Sequence, residues 1–459
     1  MPIRADLRDS VISRFAQGFG SSIVKYTAEV VVVGAGVIGC SIALELARDG
    51  RGVCVVDKSG GIGHGSTGAS SGVVRFHYST YTGVATSWEA VHGWREWADH
   101  LQFDDPAGLA SFQRTGMLVL DRAPGASQHI TDLFARVGVP WEEWDAATME
   151  DRLPYVDPRL LGPPAPVDSD AFFADATGPI TGTYTPDAGY VGDPQLAAQN
   201  LGVAAQHFGA KFLLRRKIEQ IEMAGPRRWR ITAASGDLVE ADVVVNAAGP
   251  WSSALNDLAG VGTSFTVSSR PLRQEVHQVT APAGFYSADG RPGISIADPD
   301  LGVYMRPTGA NGLLVGGMEP ECDPLEWIED PDAFNPNPTA TGYAAQVMRA
   351  ARRLPALAIP NRPSGVAGVY DATTDWTPIY DKTERPGLYV AMGTSGHQFK
   401  AAPVVGTLMR ELIDAVESGR DHDHDPVCVR LPRTGSVVDM SAYSRLRPVG
   451  ANSPTGVMG

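Results

Sequence analysis

Cysteine, lysine and long apolar runs are all in short supply in this chain, and each shortage removes a class of protein. The four cysteines, Cys40, Cys54, Cys322 and Cys428, lie far apart with no CxxC pair. Neither a zinc ribbon nor a disulfide framework is built that way, so the default compartment is a reducing cytoplasm. No stretch reaches the ~18 apolar residues of a membrane-spanning helix, so no membrane span is expected. Charges recur from Arg4 to Arg14 without the apolar core of a signal peptide. Residues 1–27 read as an N-terminal extension, with a short amphipathic helix around Leu7 to Phe15. Positive charge is under-represented too: 38 Lys and Arg against 52 Asp and Glu leave −14, the wrong sign for gripping nucleic-acid phosphates. Only six of those 38 basic residues are lysine, which gives each lysine individual weight.

What remains is an ordinary globular composition, 43% apolar and 20% charged over 459 residues, enough for two to three domains. Glu29-Val30-Val31-Val32-Val33 is a β-branched run that reads as a strand buried on both faces. Gly34-Ala35-Gly36-Val37-Ile38-Gly39 follows at once, then a helical pattern through Ile38, Ile42 and Leu46, and a second strand, Val53-Cys54-Val55-Val56, ending on Asp57. A GxGxxG between a strand and a helix is a dinucleotide-binding fingerprint. Gly34 permits the tight turn, Gly36 admits a pyrophosphate to the backbone, and Gly39 lets helix pack on strand. Amides at the helix start, at Val37 and Ile38, then face phosphate oxygens. Asp57 stands where a carboxylate accepts hydrogen bonds from ribose hydroxyls and repels a 2′-phosphate.

The glycine- and serine-rich stretch 60–72 has the composition of a linker, but its place after a nucleotide-binding strand makes it a loop wrapped on the ligand. Asp242 to Trp251 holds another buried strand ending in small residues, Asn246-Ala247-Ala248-Gly249, far downstream of the first, which implies a discontinuous domain. Trp88, Val91, Trp94, Ala98 and Leu101 recur at helical spacing as packing residues. Asp193-Pro194 opens a helix with an acidic cap and proline in its first turn. Strands are predicted at Thr115–Leu120, Trp229–Thr232, Arg270–Thr280, Val303–Pro307 and Leu313–Gly317, the last two as a hairpin. A closing helix carries Val405, Leu408, Leu412 and Val416 on one face. The proline-rich residues 329–341 form a surface loop. His422-Asp423-His424-Asp425 reads as a solvated charged turn, so no metal site is expected.

Five segments in one order, GAGVIG at 34–39, STGASSGVVRFHY at 66–78, DAGYVGDP at 187–194, VVNAAGPW at 244–251 and GTSGHQFKAAP at 393–403, resemble the FAD-dependent amino-acid and amine oxidoreductases of the D-amino-acid oxidase superfamily. The nearest branch is that of sarcosine oxidase and dimethylglycine dehydrogenase, over about residues 28–420. The resemblance implies an α/β (α+β) protein: a discontinuous Rossmann-like FAD domain from 28–105, 185–258 and 365–420, and a substrate domain with an antiparallel sheet from 106–184 and 259–364. Residues 421–459 are then a C-terminal tail. NAD alone would leave the distant VVNAAG strand unexplained.

The same resemblance supplies site residues. Besides the first turn and Asp57-Lys58, FAD contacts are implied at Ser66, Thr67, Ala69, Ser70, Ser71 and Gly72. Later ones fall at Ala248, Gly249, Gly393, Gly396, His397, Gln398 and Lys400. Turn 393–396 would aim amide dipoles at the negative end of a reduced flavin. Arg75 and Lys400 match cations set against a substrate carboxylate, and such an anion requires a positive partner in a water-poor pocket. Tyr304 matches a tyrosine lining the pocket. Arg306, two residues on and on the same strand face, has no basic counterpart in sarcosine oxidases. His397 is a further candidate, close to the ring or packed in the core, and Tyr370 and His77 are candidates for either a site or a structural role.

Three departures shape the expected chemistry. Where sarcosine oxidases carry a flavin-linking cysteine, this chain reads Ala367-Gly368-Val369-Tyr370. The histidine of dimethylglycine dehydrogenases falls at Ala69, with His64 out of register, so noncovalent FAD is expected. Leu314 stands where a lysine promotes the oxygen reaction, so the acceptor is O2 or another electron carrier. The implied activity is hydride removal from the carbon next to a nitrogen in a small amino acid or N-methylated amine, giving an imine. Alternatives are a flavoprotein subunit or assembly factor with additional subunits, and a natural-product amine oxidase or dehydrogenase.

Overall fold

The computed structural model describes residues 25–449 apart from Pro124, and the helix expected at Leu7 to Phe15 lies outside them. Its first layer is a six-stranded sheet in the order 211–213, 53–56, 30–33, 243–246, 388–392, 379–382. The first five strands run parallel, and the edge strand Ile379–Lys382 is antiparallel to Leu388–Met392. Val30–Val33 is buried along its whole length because the sheet is covered on both sides. Val30 and Val32 join the core under the helices, whereas Val31 and Val33 join Ile221, Trp229, Ile231 and Val239 of a four-stranded sheet on the opposite face.

The helix Val37–Arg48 packs between Pro194–His207 and the closing helix Ala402–Glu417. The apolar stripe read at Ile38, Ile42 and Leu46 understates it. Every residue but Glu45 and Arg48 is buried, because two helices flank it as well as the sheet. Close approach needs small partners: a Cβ on Gly406 would sit 2.3 Å from the Ser41 carbonyl oxygen. There the Ser41 hydroxyl donates to the Ala402 carbonyl at 2.5 Å and accepts from the Gly406 amide at 2.9 Å. Asp193 caps the next helix by accepting from the Leu196 amide, with Pro194 in the first turn. The tryptophan-rich stretch forms two helices, Tyr81–Arg95 and Trp97–Leu101, broken at Glu96, and Trp94 stacks on Trp97 at 4.4 Å.

The second layer is a nine-stranded sheet in which Val303–Thr308 and Gly312–Gly317 form the expected hairpin. All its pairings are antiparallel except Ser295–Asp298 with Met117–Leu120. Gly365–Thr373 pairs along Ser269–Thr280, so the chain crosses from this sheet to the first one just after Thr373. Alternation along Ser269–Thr280 divides its side chains. Gln274 and Val276 face the cavity described below, while Arg273, Glu275 and His277 face the helix Ala340–Arg353. Glu275 accepts from Arg273 at 2.7 Å and from the Thr339 amide at the helix start at 3.0 Å, with the His277 ring 3.3 Å away.

The tail differs from expectation. His422 is buried and accepts from the Val427 amide at 3.0 Å, while Asp423 pairs with Arg445 and Lys382, each at 2.7–2.8 Å. Arg445 also pairs with Asp381, and Arg447 with Asp375 at 2.7 Å. The charged turn is therefore half of an ionic clasp that folds residues 421–447 onto the sheet edge, and only His424 and its neighbours are solvated. Among the described residues no helix is long and apolar enough to cross a membrane.

Burial would raise the Glu275 carboxyl, but His277, Thr339 and Arg273 overcome that and hold it at about 2. A depressed carboxyl contributes stability above its unfolded value of ~4.3 and loses it as pH falls through the folded one. Glu275→Gln is expected to cost about 3 kcal/mol at pH 7. Urea midpoints should show that cost shrinking between pH 4.5 and 3; a cost that grows on acidification would contradict the assignment.

Candidate active site

A cavity of about 280 Å³ opens where the strand ends of the first sheet meet the second sheet. Gly34 sits at φ +112°, and a Cβ there would lie 2.3 Å from the Ala247 carbonyl oxygen. A Cβ on Gly39 would lie 1.9 Å from the Gly34 oxygen, so the helix and both strand ends meet only because these side chains are absent. The helix start carries no side-chain cap of its own: Gly36 contributes none, and the Val37 amide donates to the Thr67 hydroxyl at 3.1 Å. A helix start without a cap from Gly36, opening on this glycine-lined cavity with the Thr67 hydroxyl beside it, makes a fitting cradle for a pyrophosphate. Asp57 already accepts from the Ala35 amide at 2.7 Å and the Ser59 amide at 2.6 Å, which fixes its carboxylate at the wall.

Of the residues named from sequence, Gly34, Gly36, Val37, Ile38, Asp57 and Lys58 line this cavity. So do Ser66, Thr67, Ala69, Ser70, Ser71, Ala248, Gly249, Gly396 and Gln398. Gly39 lies behind the wall as a packing residue. Gly72 at φ +64° and Gly393 at φ +67° shape turns beside it without lining it. The Ser66 hydroxyl donates to the Val369 carbonyl at 2.5 Å, tying the glycine-rich loop to the second sheet. Lys58 pairs with Asp332 and lies 3.7 Å above the Trp251 ring, whose Nε1 also donates to Asp332 at 3.1 Å. The segment read as a surface loop at 329–341 gives way to the helix Ala340–Arg353 at its end, and its Asp332 is thereby tied to Lys58 and Trp251 at the cavity rim.

A second cavity of about 50 Å³ adjoins the first, and Ser70, Ser71, Tyr304, Tyr370, Gly396 and Phe399 line both. Arg75, His397, Lys400, Val73 and Met117 complete it. Arg75 is 4% and Lys400 3% exposed, so two cations border a space of a few atoms. They share one ring: Arg75 Cζ lies 5.0 Å and Lys400 Nζ 5.3 Å from the centre of Tyr78. Lys400 Nζ donates to the Tyr78 hydroxyl at 3.1 Å and to the His397 carbonyl, and its own carbonyl accepts from Trp94 Nε1 at 2.7 Å. Burial, then the field of Arg75, pulls the Lys400 ammonium well below its usual range, and burial lowers Arg75 as well.

The His397 tautomer follows from its partners. A carbonyl only accepts, so Nε2–H donates to the Trp376 carbonyl at 2.5 Å. Nδ1 is then the acceptor, taking Gln398 Nε2–H at 2.9 Å with the Tyr78 hydroxyl 3.3 Å away. Burial, Lys400 and Arg75 together hold this ring neutral. Gly396, at φ +73°, leaves room for the Tyr370 ring, and Gly316 does the same for Tyr304; a Cβ on either would lie 2.2–2.3 Å from ring carbons.

Arg306 lines neither cavity. It donates to the Ser71 and Pro307 carbonyls and lies 4.6 Å from the Tyr190 ring centre, holding the loop from behind. His77 is buried outside both cavities, where burial and Arg75 lower it to about 3. His64 is exposed, and Leu314 stands cross-strand from Arg306, lining neither cavity. Two residues escaped the sequence reading. Tyr78 falls inside the quoted STGASSGVVRFHY segment, so its position was available. Asp371, buried in the wall of the larger cavity and accepting from the Thr394 hydroxyl, had no motif to mark it.

Comparison with known proteins bears on the whole arrangement. Residues 29–412 match the family profile described as DAO, FAD dependent oxidoreductase. The FAD-dependent oxidoreductase domain-containing protein 1 of Bos taurus is 26% identical over 423 residues, covering 84% of this chain and 81% of the relative. Glycine oxidase of Geobacillus kaustophilus is 26% identical over 402 residues, covering 86% of this chain and 94% of the relative. The crystal structure of L-proline dehydrogenase from P. horikoshii is similar in fold, with a TM-score of 0.71 at 21% identity over 92% of this chain and 98% of that one. This chain belongs to the DAO family of FAD-dependent oxidoreductases, and FAD is its cofactor.

Proposed function

We propose that this flavoenzyme oxidises the C–N bond of a small amino acid or secondary, N-methylated amine to an imine. The observation that carries the reading is the 50 Å³ cavity, bordered by Arg75 and Lys400, that shares its tyrosine walls with the larger glycine-lined cavity. FAD supplies the two-electron acceptor, and the protein supplies position and charge. Arg75 is the carboxylate partner in this reading: its guanidinium, held over Tyr78 with one nitrogen on the His77 carbonyl, borders the smaller cavity as a planar cation suited to a planar anion. Tyr304 and Tyr370 bound the space in which the reacting carbon meets the cofactor. At ~10–15 Å³ of such volume per water, the cavity suits a ligand of a few heavy atoms, which favours a free metabolite over a carrier-bound one. The names of the glycine oxidase and L-proline dehydrogenase relatives support the same substrate range.

FAD is held without a covalent bond in this reading. No cysteine lines either cavity, and the histidine that does, His397, has both ring nitrogens engaged. The residues implied from sequence as the FAD unit, 28–105, 185–258 and 365–420, bring most of the larger cavity's wall; 259–364 adds Gln274, Val276 and Tyr304, and 106–184 reaches only the smaller cavity, through Met117. Electrons then pass to O2 or to another carrier; Leu314 offers no cation to favour oxygen.

The test is anaerobic rapid mixing of the holoenzyme with sarcosine, L-proline, glycine and D-alanine, following the flavin band. At least one should bleach it; bleaching by none would overturn the substrate class. Arg75→Met should weaken the active compound by about 30-fold or more, the ~2 kcal/mol at the low end for stripping one partner from a buried charge pair. Acid precipitation should leave the yellow colour in the supernatant, and colour in the pellet would contradict noncovalent binding.

A further inference from the structure

Residues 421–447 lie beyond the span 29–412 that matches the family profile, yet two side chains of this tail lead to His397 in the smaller cavity's wall. Most of the tail's ion pairs serve the clasp: Asp423 with Arg445 and Lys382, and Arg445 with Asp381. Arg447 is placed differently. Only 8% exposed, it donates to both oxygens of Asp375 at 2.7 and 2.8 Å, to the Thr377 carbonyl at 2.6 Å and to the Pro378 carbonyl at 3.0 Å. A planar fork with several donors is suited to this, and it braces the turn 375–378 as one piece. Trp376, enclosed in that turn, is buried and held at φ +55°, a left-handed conformation that a bulky residue keeps only where its surroundings enforce it. In that conformation the Trp376 carbonyl accepts His397 Nε2–H at 2.5 Å.

A second route from the same tail ends on the other ring nitrogen. Tyr443 shares a hydrogen bond with Thr86 at 3.1 Å and packs edge-on against Tyr380, ring centres 5.1 Å apart. The Tyr380 hydroxyl donates to Gln398 Oε1 at 3.2 Å, which leaves the Gln398 amide hydrogens for His397 Nδ1 at 2.9 Å. These bonds have a direction. With the ring hydrogen on Nδ1 instead, a lone pair at Nε2 would oppose the Trp376 carbonyl, and two N–H groups would meet at Gln398.

We propose that the C-terminal tail is a working part of the site: Arg447, acting through Asp375 and the Trp376 carbonyl, is a positioning residue that fixes His397 in its Nε2–H tautomer beside Lys400. His397 borders the smaller cavity, and its own carbonyl accepts from Lys400 Nζ and from the Tyr78 hydroxyl, the latter at 3.0 Å. Loosening the turn therefore frees a ring that stands in the wall and disturbs the residue that holds Lys400. The consequence for turnover rests on the substrate reading above; the tautomer does not.

Nitrogen NMR of ring-labelled histidine in the FAD-loaded enzyme tests this, with the His397 signals assigned by their loss in His397→Gln. Wild type should show a protonated Nε2 and an unprotonated Nδ1. In Arg447→Met both signals should move toward a mixture of tautomers. The limiting rate of anaerobic bleaching by the active compound should fall about tenfold or more with FAD still bound, the scale of a small misplacement in a site. Added guanidinium should restore signals and rate together. Lys382→Met removes a clasp pair without touching the turn, and should lower the melting temperature while leaving the His397 signals and the limiting rate as in wild type. If Arg447→Met does not fold, Arg447→Lys is read in its place, since one ammonium cannot span Asp375 and both carbonyls. A wild-type ring with its hydrogen on Nδ1 would overturn the inference. So would unchanged His397 signals in the Arg447 variant, or an equal disturbance in Lys382→Met. If none of the compounds bleaches wild-type flavin, the substrate reading fails, while the ring signals still decide the role of Arg447.

Discussion

The contact on which this molecule turns is the meeting of three backbone segments at Gly34, Gly39 and Ala247. A methyl group on either glycine would overlap a carbonyl oxygen by more than 1 Å relative to ordinary contact. Their absence brings the end of Val30–Val33, the start of Val37–Arg48 and the end of Val243–Asn246 into one corner. Everything downstream uses that corner. The helix start faces the cavity with no cap from Gly36 and with the Thr67 hydroxyl accepting from the Val37 amide, and Asp57, at the end of the neighbouring strand, is pinned by the Ala35 and Ser59 amides. The favourable dipole end of a helix and a fixed carboxylate are thus placed to take a phosphate and a ribose within one ligand.

A second constraint is charge. Burying Arg75 and Lys400 together would be prohibitive if both stayed hydrated-like ions, and the structure shows how the cost is contained. Tyr78 offers its ring face to both and its hydroxyl to Lys400, and carbonyl oxygens of His77 and His397 take further hydrogens. The His397 ring contributes no charge because its two nitrogens are locked in one tautomer. Both cations are thus engaged by protein groups at the edge of the smaller cavity. Elsewhere, Arg353 with Asp298 and Asp300, and Arg273 with Glu275, form buried ion pairs that serve packing under the helix Ala340–Arg353.

Much of this was legible in the amino-acid order, and the reason is locality. Val30–Val33, the glycine turn and Asp57 form one unit short enough for pattern and spacing to specify, and Val303–Thr308 with Gly312–Gly317 is a hairpin for the same reason. What escaped was set by contacts between distant segments. Arg306 shares a strand face with Tyr304, which made it a pocket candidate, but the Ser71 carbonyl and the Tyr190 ring draw its guanidinium behind the loop. The acidic turn at 421–425 looked solvated because Arg445, which neutralises Asp423, had no visible link to it. Tyr78 lay in plain view without a role, since its partners Lys400 and His397 are over 300 residues away.

The junction of the two cavities shows how local and distant constraints combine. Tyr304 and Tyr370 each lie against a glycine on a neighbouring segment, Gly316 and Gly396, and each ring borders both cavities. Burial raises both phenols, so neither competes for a proton at neutral pH, and both remain hydrogen-bond donors at the boundary. Under the proposed function, a carboxylate at Arg75 would lie beside two aromatic walls that also border the larger cavity. The glycines are what admit these rings: a Cβ on either would lie 2.2–2.3 Å from ring carbons, so the ring at the junction would have to move although no polar group was removed.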